Sequence, residues 1–132
     1  MDTNVFVALA DGEDDLHARA ISDLKQLGRG PFGSTVPVLS ESFYLLPEGN
    51  LRLRLRAYLQ HLRVAILETR ADAWEAIFDW MVQYEQHEPS LADAQLVALS
   101  SMNASFRIWS YDREFVTIWR RPDGTRVPTV VR

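Results

Sequence analysis

The residues with chemical potential here are carboxylates. Four of them stand where a merely solvated acid is not expected. Asp2 opens the polar run Asp2-Thr3-Asn4, directly ahead of the apolar Val5-Phe6-Val7-Ala8-Leu9. Glu41 is the only charge between Arg29 and Glu48, and its neighbours are Val38, Leu39, Phe43, Tyr44, Leu45 and Leu46. A lone acid on so apolar a helix is at least partly buried, and burying an unpaired carboxylate is costly. Asp93 lies three residues after Ser90, at the start of a helical pattern. Asp112 follows the apolar run Phe106 to Trp109, at what would be a strand's carboxyl end, the edge where open α/β sheets bind ligands. Each acid also has an ordinary explanation. Asp2 would cap a helix, Glu41 would pair with an arginine, Asp93 would complete a capping box, and Asp112 would sit in a turn.

Other chemistries lack their residues. There is no cysteine, hence no disulfide, thiolate site or cysteine nucleophile. There is no phosphate-binding Gly-rich loop, metalloprotease His pair or nucleophile elbow. His17, His61 and His87 are far apart in sequence and read as surface helix residues.

The elements that must position the acids follow from periodicity. With 132 residues, 47% of them hydrophobic, the chain fits one domain over residues 1–132. Short apolar runs alternate with amphipathic helices, which predicts an α/β fold with a mostly parallel sheet. Helices are expected over residues 14–27, with Gly28 as the stop, and from Pro37 to about Pro47. Residues 51–62 alternate like a strand at first, but Leu51, Leu55, Tyr58, Leu59 and Leu62 share a helical face, and helix is preferred. A helix over 71–86 carries the stripe Trp74, Ile77, Phe78, Met81 and Val82, with Thr69 and Asp72 as a capping box. Another spans 90–102, capped by Ser90. Strands are expected at 34–36, 64–67 (buried), 106–109, 116–120 and 126–130, the last two joined across the turn Pro122-Asp123-Gly124.

No apolar run is long enough to span a membrane, and a soluble, cytoplasmic protein is expected. The net charge of −4 argues against a general nucleic-acid coat. The charges fall in blocks, however. Arg52, Arg54, Arg56, Arg63 and Arg70 form one basic stretch, and Arg107, Arg113, Arg120, Arg121, Arg126 and Arg132 another, with an acidic block between. Such blocks suit an acidic pit with a basic rim, or simply separate solvated faces.

Taken together, DTNVFVAL at Asp2 to Leu9, VLSESFYLL around Glu41, SLADAQLVALS around Asp93 and SYDREF around Asp112 resemble the PIN-domain nucleases. The resemblance is strongest to the small VapC-type ribonuclease toxins of toxin–antitoxin pairs. It implies a three-layer α/β/α sandwich and a divalent-metal site built from Asp2, Glu41, Asp93 and Asp112. Thr3, Asn4 and Ser110 are implied as supporting residues, and Glu114 as an outer acid. It also implies an antitoxin partner and a homodimer, for which residues 51–62 and the following helix are the expected docking surface. Relatives carry an apolar strand before the first aspartate. Here only Met1 precedes Asp2, so the first strand is a stub or the native chain starts further upstream. Asp2 is then well placed only if residues 1–3 pair beside residues 106–109.

Gathering such acids requires a cation or retained protons. Two unit charges about 4 Å apart repel by roughly 4 kcal/mol at an effective dielectric near 20. Oxygen ligands favour Mg²⁺ or Mn²⁺, which acidify water and offset phosphate charge. The expected activity is hydrolysis of RNA phosphodiester bonds, with Arg113, Arg120 and Arg121 as candidate phosphate contacts beside Arg52, Arg54 and Arg56. Two rivals remain open. One is a phosphatase, disfavoured because no Asp-x-Asp pair follows the first strand and Lys25 is the only lysine. The other is an inactive PIN-like module that binds RNA or protein.

Overall fold

The computed structural model describes residues 1–130. Seven α-helices and two short strands follow in the order α1 (Thr3–Ala10), α2 (His17–Leu27), β1 (Gly33–Ser34), α3 (Val36–Leu45), α4 (Gly49–His61), β2 (Ala65–Ile66), α5 (Trp74–Gln83), α6 (Leu91–Met102) and α7 (Glu114–Thr117). Single 3₁₀ turns at Ala71–Ala73 and Glu85–His87 flank α5. Among the described residues, no helix is long and apolar enough to cross a membrane.

The sheet is a row of very short segments. β1 and β2 pair in parallel, Gly33 against Ala65 and Ser34 against Ile66. On the other side of β1, the Met1 nitrogen donates to the Gly33 carbonyl (2.8 Å) and the Ser34 hydroxyl donates to the Met1 carbonyl (2.8 Å). The Asp2 amide then donates to the Trp109 carbonyl (2.9 Å). Beyond that, Ile108 makes a parallel bridge with Thr129. Met1 and Asp2 therefore sit between β1 and residues 108–109 and act as the missing first strand. The expected pairing of the chain start beside residues 106–109 is met by one backbone hydrogen bond.

Helix α1 is apolar on nearly every side, which suits only a helix packed all round. It contacts α2, α3 and α4, and Val5, Phe6, Ala8, Leu9 and Ala10 are buried. Helices α5 and α6 pack together, and α6 also meets α3. The result is the mixed α/β architecture with a parallel sheet that the resemblance implies.

Several local expectations need correction. β2 is exposed rather than buried, because it forms the outer end of the described row. Residues 106–109 contribute one bridge, not a strand. Residues 116–120 are not a strand either. Phe115 and Trp119, one helical turn apart, are both buried, and that spacing winds the segment into α7. The hairpin around Pro122-Asp123-Gly124 shrinks to one antiparallel bridge, Arg120 with Arg126, with Gly124 at φ +84°. On α5 the core line runs through Ile77 and Trp80, leaving Phe78 53% and Val82 67% exposed. The 69–72 capping box does not form. Thr69 accepts a hydrogen bond from the Gln95 amide (3.0 Å), and Asp72 pairs with Arg70 (3.1 Å). Helix α2 begins at His17, not Asp14. The His17 imidazole lies 2.7 Å from the Ala8 carbonyl and is half-buried, unlike the exposed His61 and His87. In α4, Leu55 is buried, and Leu51, Tyr58, Leu59 and Leu62 pack against the core, so this stripe completes the interior. The exposed apolar residues nearby are Leu53 on α4 and Tyr44 and Leu45 on α3. Arg132 lies outside the described residues.

Candidate active site

Four separate segments bring the predicted acids to one cavity. Asp2, Glu41, Asp93 and Asp112 all line an open pocket of about 340 Å³, together with Thr3, Asn4, Ser90 and Asp14. Each acid is held by its own local structure.

Asp2 is both a helix cap and a buried acid. It is the N-cap of α1, and its Oδ1 accepts from the Thr3 amide (2.7 Å). Its Oδ2 accepts from the Ser110 hydroxyl (2.6 Å). Burial raises its pKa, and the nearby charge of Asp112 adds to the rise, while the Ser110 and Thr3 hydrogen bonds oppose it. Asp93 likewise satisfies both of its readings. It completes a reciprocal capping box with Ser90, whose amide donates to Asp93 Oδ2 (3.0 Å) and whose Oγ accepts from the Asp93 amide (3.1 Å). Burial, with the charges of Asp2 and Asp112, pushes its pKa up to about 6. Glu41 comes from α3 and accepts from the Thr3 hydroxyl (2.9 Å). Its partner is a hydroxyl, not the alternative arginine. Asp112 Oδ1 accepts from the Glu114 amide (2.9 Å), which starts α7.

Ser110 and Asn4 tie these pieces together. The Ser110 oxygen donates to Asp2 and accepts from the Asp112 amide (3.0 Å) and the Asn4 side-chain nitrogen (3.3 Å). The Asn4 carbonyl oxygen accepts from the Tyr111 amide (3.0 Å). Thr3, Asn4 and Ser110 thus all contact acids or the segment that carries them.

Glu114, Arg113, Arg120 and Arg121, all named from the sequence, stand apart from the cavity. Glu114 is half-buried but does not line it. Arg121 Nη2 donates to the Ser100 carbonyl (2.6 Å), in the last turn of α6, and Arg120 Nη1 donates to the Trp119 carbonyl (2.8 Å). Arg113 is exposed. Conversely, Asp14 lines the cavity and was read from the sequence only as a first-turn acid of α2. It lies instead in the turn between α1 and α2, its Oδ1 accepting from the Leu16 amide (2.8 Å). The acidic break Asp11-Gly12-Glu13-Asp14-Asp15, right after the buried α1, was the available signal.

The donors are all oxygen, the set preferred by hard divalent cations. Among the described residues, no three His, Asp or Glu side chains already converge as a metal cluster. The acids form a loose ring around the cavity, and a cation that retains several waters suits such a ring. Burial is the main cause of the raised pKa values of Asp2 and Asp93, and a neighbouring carboxylate adds to each.

This buried or half-buried set of acids, gathered beside a short parallel sheet, has a family. The chain belongs to the PIN domain family, whose model matches residues 1–119. In structure it is similar to VapC20 of Mycobacterium tuberculosis, described as a toxin that cleaves the sarcin–ricin loop, at 24% identity and a TM-score of 0.71 over 88% of this chain and 91% of that one. No curated protein matches it in sequence.

Proposed function

We propose that this protein is a metal-dependent ribonuclease and the toxin of a toxin–antitoxin pair. The observation that supports it most is the meeting of Asp2, Glu41, Asp93 and Asp112, from four separate segments, around one open cavity. Asp2, Asp93 and Asp112 are the proposed ligands of Mg²⁺ or Mn²⁺, and Glu41 positions the ion or a water. When bound, the cation supplies charge stabilisation for the phosphodiester and acidifies water. The chain's own residues do the rest. Ser110 and the Thr3 amide keep Asp2 oriented and favour its charged form against burial, the Ser90 box fixes the Asp93 rotamer, and Thr3 turns Glu41 inward. Arg113, exposed beside Asp112, is the best remaining phosphate contact.

An antitoxin that covers the cavity is part of this reading. Leu45 lines the pocket yet is 56% exposed, and Tyr44 beside it is 82% exposed. A homodimer and a cytoplasmic location belong to the same proposal. The test is incubation of pure protein with a broad RNA pool and Mn²⁺, beside an Asp93→Asn variant. Intact RNA, or equal cleavage by the variant, rejects the reading.

A second reading is a catalytically inactive PIN module that binds RNA or protein, and the loose, unconverged ring of acids favours it. Calorimetric titration with Mn²⁺ separates the two, since an inactive module binds little.

A further inference from the structure

Between Ser110 and Asp112 stands Tyr111, which the proposed chemistry does not use. Its surroundings are unusually complete for a half-buried side chain. Its hydroxyl donates to Asp23 Oδ2 on α2 (2.7 Å) and accepts from the buried Trp109 indole (3.2 Å). The Arg19 guanidinium, one turn before Asp23, stacks 4.8 Å from the ring centroid and lies 3.8 Å from Asp23. The Tyr111 amide donates to Asn4 (3.0 Å).

We propose that Tyr111 and Asp23 are positioning residues that lock the 110–112 segment to α2, and so set the places of the Asp2 and Asp112 carboxylates. Residues 110, 111 and 112 are anchored one after another. Ser110 holds Asp2, Tyr111 holds α2, and the Asp112 amide returns to the Ser110 oxygen. Backbone pairing does little for this segment. Its supports from other strands are the Asp2–Trp109 hydrogen bond and the Ile108–Thr129 bridge, both of which end before Ser110, and beyond them the Asp112 carbonyl accepts from the local Phe115 amide (3.3 Å). The Tyr111 amide is held by Asn4 on α1, and the Tyr111–Asp23 bond adds the tie of this segment to α2. Neither residue lines the cavity, so both act through their neighbours. The role rests on the reading of the cavity as a cation site.

Two measurements on the full chain test it: amide hydrogen exchange at Tyr111 and Asp112, and calorimetric Mn²⁺ affinity. Tyr111→Phe removes the hydroxyl and keeps the ring under Arg19. Asp23→Ala removes the acceptor, and Asp23→Asn keeps one. Tyr111→Phe and Asp23→Ala are expected to speed exchange at both amides about tenfold and to weaken Mn²⁺ binding about three- to tenfold, the range for one lost hydrogen bond of ordinary net strength. Asp23→Asn lies between them and wild type, and carries the test if Asp23→Ala does not fold. Combining Tyr111→Phe with Asp23→Ala adds little, because both break one bond. RNA cleavage falls in kcat with KM little changed. Arg70→Ala, at the exposed Arg70–Asp72 pair, is the neutral control. Wild-type exchange or wild-type Mn²⁺ affinity in Tyr111→Phe overturns the positioning role alone. A wild-type protein that binds no Mn²⁺ overturns the cation reading, and this role with it.

Discussion

Two corners of this molecule use buried space in opposite ways. At the sheet, around Asp2, the buried positions go to Asp2, Thr3, Ser34 and Ser110, joined by short hydrogen bonds. At the far ends of α5 and α7, they go to rings. Trp80 meets Trp119 at 5.2 Å and Tyr84 at 4.7 Å, Tyr84 meets Trp119 at 5.5 Å, and the Trp80 indole donates to the Arg120 carbonyl (2.7 Å). The aromatic corner buries apolar area and stabilises. The acidic corner costs stability, as the raised pKa values of Asp2 and Asp93 record. The site proposed to attract a cation is thus held in place by a core that needs none.

The sharpest way to separate the corners is Asp93→Asn. The amide oxygen can still accept from Ser90, so the capping box survives and only the charge goes. RNA cleavage is expected to fall on the order of a hundredfold or more, while metal-free thermal stability at neutral pH rises. Loss of both activity and stability would break the comparison. Trp119→Ala does the reverse. It is expected to cost about 3–5 kcal/mol in denaturant unfolding, and residual folded protein keeps its Mn²⁺ affinity.

A third effect is pH dependence. The folded pKa of Asp93, about 6, exceeds its ordinary value of 3.8, so the folded state binds its proton more tightly. That contribution is fully present below about pH 4 and is lost as pH rises through about 6. Metal-free protein is expected to lose roughly 1–3 kcal/mol over that window, and saturating Mn²⁺ to abolish the loss. Melting curves at pH 4.5, 6 and 7.5 measure it. Flat stability would mean that the acids already have a counter-charge. The smallest effects concern the arginines. Arg121→Ala should cost about 1 kcal/mol and leave RNA binding unchanged. Arg113→Ala should leave stability unchanged and lower the salt dependence of RNA binding by roughly one phosphate contact.

Much of this was legible because the useful signals are local. Ser90 and Asp93 announce a helix start by spacing alone, and α6 begins one residue later. Glu41 announced burial by its apolar neighbours, and it is half-buried. The sheet was not legible in the same way. Its segments are one or two residues long, and pairings such as Asp2 with Trp109 depend on contacts far apart in sequence. Val116 to Arg120 looked like a strand by composition, yet the packing of Phe115 and Trp119 decided for a helical turn. Asp14 was hidden because an acid before an amphipathic helix has a sufficient local explanation. Arg121 looked like a surface cation, and only the fold reveals its bond to Ser100.

The Asp2–Ser110 hydrogen bond spans 108 residues. Ser110 is made 108 residues after Asp2, roughly 5–20 s later at ordinary elongation rates. A nascent chain therefore carries Asp2 capped on α1 long before Ser110 can hold its other oxygen.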